Sequence, residues 1–160
     1  MRVIAVDPGY ERLGVAVVER AGGREVVLHS DCLITPKIAL PLRLRMLGEK
    51  FEALITAWSP EYFATEKLFF ESNQKTSLGV AEAKGMLSYL AAKHGLASAE
   101  FTPLQVKMAV TSYGRADKQQ VILMLHRLVS IEKKIAHDDE YDAIAVGLTC
   151  LATMRHPAGE

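Results

Sequence analysis

The first 34 residues constrain the fold most, because they hold three β-type runs with almost no chain between them. Residues 1–7 (MRVIAVD) alternate and concentrate Val and Ile, and Pro8-Gly9 then marks a turn. Leu13 to Val18 (LGVAVV) predicts a second strand. Arg24 to Ile34 predicts a third, set off by the hairpin-type turn Gly22-Gly23. Connections this short leave an antiparallel meander as the natural arrangement. The period then changes: Leu44, Leu47, Phe51, Leu54, Ile55 and Trp58 fall on one face of a helix that Pro60 closes.

Beyond the helix, Tyr62 to Glu66 is a short strand candidate, followed by a helix from about Ser77 to Lys93 that ends at Gly95. Ala99 to Phe101 is a brief fifth strand, and Pro103 opens a short helix through Val110. Asp117 with Gln120 resembles a capping box ahead of Val121, Ile122, Leu125 and Leu128; Asp139 and Asp142 open a final helix through Ile144, Leu148 and Leu151. This order predicts an α/β domain with a mixed five-stranded sheet. At 160 residues the chain suits a single domain, 1–160. The helix around 78–92 is apolar nearly all round, which suits either a core helix or one that meets a second copy.

Composition narrows the function classes. Apolar residues make up 49% and charged residues 24%, which excludes a disordered chain. Cys32 and Cys150 form no C-x-x-C pair, and no apolar run reaches about 18 residues, so a soluble cytoplasmic protein is expected. Net charge is zero, but its distribution is uneven. Residues 101–135 carry six Lys or Arg against two acids, and residues 136–160 carry one against five. That pattern fits carboxylates that hold cations beside a basic region that grips phosphate, or simply two solvated faces.

Four acids fall where a sheet would gather them: Asp7 and Glu66 at strand ends, Asp139 and Asp142 at i, i+3 on a helix start. Clustered carboxylates repel, and divalent cations with hard oxygen preference, Mg²⁺ or Mn²⁺, relieve that. Two such ions about 4 Å apart suit phosphodiester hydrolysis. Each acid also has an ordinary reading: Asp7 as a turn residue, Glu66 as an exposed strand end, and the 137–140 cluster as helix capping.

Several motifs, in order, span nearly the whole chain. They are Asp7-Pro-Gly-x-x-x-x-Gly, Thr65-Glu-Lys-Leu-Phe-Phe, Gln105-Val-Lys, Gly114-Arg-Ala-Asp-Lys-Gln-Gln-Val and Asp139-x-x-Asp-Ala-Ile-Ala. Together they resemble the RuvC family of Holliday junction resolvases. The resemblance implies a ribonuclease-H-like fold with helices on both sheet faces. It implies a homodimer that nicks two strands of a four-way DNA junction symmetrically, leaving 5′-phosphate ends, during recombination and repair. It also implies a branch-migration partner complex (RuvA and RuvB).

By position, Asp7, Glu66, Asp139 and Asp142 would hold two ions per site, Mg²⁺ or Mn²⁺. Lys107 and Lys118 would lie near the scissile phosphate or grip the backbone, and Arg115 would add a phosphate contact. Phe69, or its neighbour Phe70, would stack on an unpaired base. Asp138 could replace Asp139 by a one-residue shift, although the Asp139–Asp142 pair leads directly into Ala-Ile-Ala. The chain departs from the family in carrying Glu140 and Tyr141 between the last two acids and Lys84 where Arg is more usual.

Two rivals accompany this reading. Residues 7–17 also resemble YqgF, a related nuclease family linked to ribosomal RNA processing, which implies cleavage of structured RNA. A junction-binding protein without catalysis is the other. The length excludes a two-lobed actin-like ATPase.

Overall fold

A computed structural model describes residues 1–68 and 74–154. Strands β1 (Arg2–Asp7), β2 (Arg12–Ala21) and β3 (Arg24–Ile34) form the antiparallel meander. Both glycines of the β2–β3 turn take positive φ, 58° at Gly22 and 78° at Gly23, the requirement of a tight two-residue hairpin turn. Strand β4 (Tyr62–Glu66) joins β1 in parallel, and β5 (Ala97–Phe101) joins β4 in parallel. The sheet therefore runs β3-β2-β1-β4-β5. Helices α1 (Leu40–Trp58), α2 (Gln74–Lys93), α3 (Pro103–Thr111), α4 (Lys118–Leu128) and α5 (Asp138–Thr153) complete the described elements.

Strand alternation divides the apolar side chains between two cores. Ile4, Val6, Val15, Val17 and Phe63 face α1 and α2, where Leu47, Phe51, Ile55, Leu87 and Ala91 meet them. Val3, Ala5, Ala16, Val18 and Ala64 face α5, with α3 and α4 packed outside it. The mixed sheet thus has helices on both faces, as the ribonuclease-H-like reading requires. The parity that points Val3 and Ala5 at α5 carries Asp7 to the same face, and Ala64 does the same for Glu66.

Helix α5 lies unusually close to the sheet. A Cβ on Gly14 would stand 1.9 Å from the Asp139 carbonyl oxygen, and one on Gly147 would stand 2.8 Å from a Val18 methyl. Gly14 is the register partner of Asp7. The last glycine of the Asp7-Pro-Gly-x-x-x-x-Gly motif therefore makes room for the first turn of α5 beside the first acid.

Some boundaries differ from the sequence reading. Helix α1 begins at Leu40 rather than near Leu44, because Ala39 at its N-cap offers no side-chain cap to signal the start. Strand β5 starts at Ala97, whose exposed Ala97 and Ser98 carry no apolar signal. On α2, Ala83, Leu87 and Ala91 are fully buried, whereas Leu78 and Tyr89 are 62% and 66% exposed. One face of that helix is core and the opposite face is open in the single chain.

Candidate active site

Parallel pairing of β1 and β4 sets Val6 beside Thr65, so their next residues, Asp7 and Glu66, end adjacent strands at one sheet edge. Helix α5 delivers Asp139 and Asp142 to that edge. Its N-cap, His137, makes no side-chain cap bond, and the acids of its first turn take basic partners from other elements. Arg12 Nε lies 3.3 Å from Asp139 Oδ2. Lys118 Nζ lies 2.9 Å from Asp142 Oδ2 and 3.3 Å from Asp138 Oδ2. Glu66, Lys107, Lys118 and Asp142 together line a cavity of about 250 Å³.

Electrostatics show how closely the acids share space. Asp7 is pushed up to about 7, by burial first and then by the charges of Asp142, Asp139 and Glu66, with Lys118 opposing. Burial followed by Asp142 also raises Glu66, against Lys107 and Lys118. Burial raises Asp142 despite its hydrogen bond from Lys118. Partial burial works against the charge of Lys118, but its bonds to Asp142 and Asp138 outweigh that and raise it. The site holds more negative charge than its cations balance, a charge state that suits a divalent cation. Among the described residues, no three His, Cys, Asp or Glu side chains already converge on a single ion position; Asp139 and Asp142 turn to Arg12 and Lys118 instead.

Of the residues singled out in the sequence, Asp7, Glu66, Asp139, Asp142, Lys107 and Lys118 come together here. Arg115 is exposed on the turn before α4. Phe69 and Phe70 lie outside the described residues. Asp138 is well exposed and, among the described residues, pairs with Lys118, whereas Asp139 is largely covered and acts on Asp7.

The departures between the acids face away from the site. Glu140 is buried, with its Oε1 2.7 Å from Lys133 Nζ, and the Tyr141 hydroxyl meets His126 Nε2 at 3.0 Å. Lys84, the cation that stands where Arg is more usual, is buried and donates to the Glu66 carbonyl oxygen at 2.9 Å, with Glu100 Oε1 at 3.0 Å. Its side chain fixes the end of β4 and offers no phosphate contact. Burial lifts the thiol of Cys32 to about 11 and that of Cys150 to about 12, which leaves both inert as nucleophiles.

Sequence reasoning missed Arg12 as a site residue. Its only signal was a basic residue between the motif's turn and Gly14, at the point where β2 begins.

Carboxylates at two adjacent strand ends, met by the start of a helix lying across a mixed sheet, define an acid-centred protein of ribonuclease-H-like fold. The family model described as Crossover junction endodeoxyribonuclease RuvC matches residues 3–150, and the chain belongs to the RuvC family. A RuvC of Moorella thermoacetica is 41% identical over 149 residues, covering 92% of this chain and 89% of that protein. One of Syntrophomonas wolfei is 35% identical over 156 residues, covering 97% and 91%. Among solved structures, Thermus thermophilus RuvC in complex with Holliday junction substrate superposes with a TM-score of 0.88 at 27% identity, covering 94% of this chain and 93% of that one. The yeast mitochondrial Holliday junction resolvase Ydc2, 13% identical with a TM-score of 0.71, shares the fold.

Proposed function

We propose that this chain is a metal-dependent, structure-selective endonuclease that resolves four-way DNA junctions by paired nicks. The observation that carries the reading is the convergence of Asp7, Glu66, Asp139 and Asp142 beside two lysines, in a member of the RuvC family. The residues fit divalent cations: oxygen donors only, with Asp7 raised to about 7 by burial first and then by the neighbouring carboxylates. Asp7, Glu66, Asp139 and Asp142 would hold Mg²⁺ or Mn²⁺, as two ions per site. Bound there, the ions would supply Lewis-acid activation of the attacking water and of the leaving oxygen.

The chain's own residues do the rest. Lys107 and Lys118, flanking Glu66 and Asp142, attract and orient the phosphate to be cut. Helix α5 presents its acids from a rigid element packed against β1 and β2, and Lys84 holds the β4 end that carries Glu66. Arg115 adds a backbone contact, and Phe69 stacks on a base opened at the crossover.

The open face of α2, with Leu78 and Tyr89, is the surface through which two copies would pair as a homodimer and so supply two nicks. Residues 1–160 form a single nuclease domain, acting in the cytoplasm with a branch-migration complex (RuvA and RuvB). No helix among the described residues is long and apolar enough to cross a membrane. The RNA-cleaving alternative is not favoured, since the family model matched is RuvC.

The decisive assay offers a synthetic four-way junction, a linear duplex and a structured RNA with Mg²⁺, Mn²⁺ or a chelator. Symmetric nicking of the junction alone, abolished by chelator, is expected. Binding without nicking under every condition would leave a junction-binding protein, and preferential RNA cleavage would restore the other rival.

A further inference from the structure

Arg12 sits on the opposite wall of the site from Lys107 and Lys118. It opens β2 directly after the Pro8–Glu11 turn, and among the described residues its guanidinium makes one ion pair, Nε to Asp139 Oδ2 at 3.3 Å. The side chain is 53% exposed, while that of Asp139 is 20% exposed. Beside this pair a groove of about 240 Å³ runs between the turn and Val80 of α2. Several contacts behind it brace the turn. Buried Arg43 donates Nε to the Ile38 carbonyl, pairs with Glu11 at 3.3 Å, and lies over the Tyr10 ring at 5.6 Å. The Thr35 hydroxyl donates to the Tyr10 carbonyl at 2.7 Å. Arg12 is thus a loosely held cation on a tightly held frame.

A single, half-exposed, monodentate ion pair contributes little and breaks easily. Asp139 also belongs to the set read above as cation ligands, and a doubly charged ion on that carboxylate competes directly with the guanidinium. Once displaced, a positive side chain at the mouth of a groove needs an anion, and the DNA backbone supplies phosphates along its length. Arginine suits this role because its fork can pair with phosphate as readily as with carboxylate.

We propose that Arg12 is an exchangeable counter-cation. It neutralises Asp139 while no divalent cation is bound, and it passes to a phosphate of the bound DNA when a cation takes that carboxylate. The proposal rests on the nuclease reading of the site. It makes metal binding and DNA binding mutually supportive through one side chain, with no movement of the backbone.

The test compares the wild-type chain with Arg12→Gln and Arg12→Lys. Mn²⁺ binding to the DNA-free proteins is measured by calorimetry. Affinity for a four-way junction with nuclease-resistant central linkages is measured against salt, with Mn²⁺ and with chelator. Removing the competing charge should tighten Mn²⁺ binding by Arg12→Gln roughly two- to fivefold. The same variant should lower the salt slope of junction binding by about one with Mn²⁺ and leave it unchanged in chelator. Arg12→Lys, which keeps the charge, should stay near wild type in both.

Unchanged or weaker Mn²⁺ binding by Arg12→Gln overturns the proposal. So does a slope change that is equal with and without the cation, because a fixed phosphate contact or a purely structural residue gives those results. A wild-type chain that binds neither Mn²⁺ nor junction overturns the nuclease reading itself. A wild-type chain that binds both, with Arg12→Gln indistinguishable from it, overturns Arg12's role alone.

Discussion

The two walls of the site are built differently. On one, Lys118 opens α4 behind a complete capping box, in which Asp117 and Gln120 each accept from the other's backbone N–H. Its ammonium bridges Asp138 and Asp142 and lines a cavity with Glu66 and Lys107. On the other, Arg12 follows a turn, meets Asp139 at 3.3 Å and stands at a groove. The same charge is therefore placed in two ways: Lys118 bridges two acids from a helix start, and Arg12 meets Asp139 from the start of a strand. The difference lies in how many carboxylates each cation meets among the described residues, since the two side chains are about equally exposed, 48% at Lys118 and 53% at Arg12.

The sharpest way to break the comparison is to remove an acid from the shared centre. Glu66→Gln should cut junction nicking by about 10²–10³ or more while junction binding changes only a few-fold, because electrostatic support of the reaction is lost and the basic walls remain. Comparable nicking by the purified variant would separate Glu66 from the chemistry on both walls.

Next in size is Gly14→Ala, which strikes the Arg12 wall through packing. The added Cβ would meet the Asp139 carbonyl oxygen at 1.9 Å, so α5 must shift at a cost of about 3 kcal/mol, read as a lowered denaturation midpoint. Wild-type stability would show that α5 yields without strain.

Metal removal probes the centre that both walls balance. In the folded chain Asp7 holds its proton up to about pH 7, whereas the unfolded chain releases it near pH 4, and Glu66 and Asp142 are raised in the same direction. Between those pH values the folded state binds more protons, so raising the pH favours unfolding. Cation-free protein should lose on the order of 2 kcal/mol across this window. Added Mn²⁺ should flatten the profile. A cation-free profile that rises with pH would contradict the crowding of charge around Asp7.

The smallest effect separates the walls directly. Lys118→Met should slow nicking at saturating junction about tenfold, since it removes charged hydrogen bonds within the site. Arg12→Gln at saturation should change the rate less. Equal losses would mean that both cations serve the same step.

Much of the architecture was legible because it depends on local patterns. Alternation announced the meander, period change announced the helices, and Asp117 with Gln120 announced the α4 cap. The candidate acids were legible through motif order, with Asp7, Glu66, Asp139 and Asp142 each at the end or start of an element. Arg12 and Lys84 were not, because a lone basic residue carries no period and no cap. Lys84 was noted only as a cation where Arg is more usual, and its place on α2 beside β4 and β5 turns it inward to the Glu66 carbonyl and Glu100.

By itself, then, the sequence determined which segments become strands and helices and which residue types could do hydrolytic chemistry, since these follow from neighbours a few positions apart. Tertiary structure alone decided which charges meet. Parallel pairing of β1 with β4 and the close seat of α5 over Gly14 bring residues more than 130 positions apart into one electrostatic unit. Coulomb coupling and burial depend on distance through space, and a linear pattern does not record that.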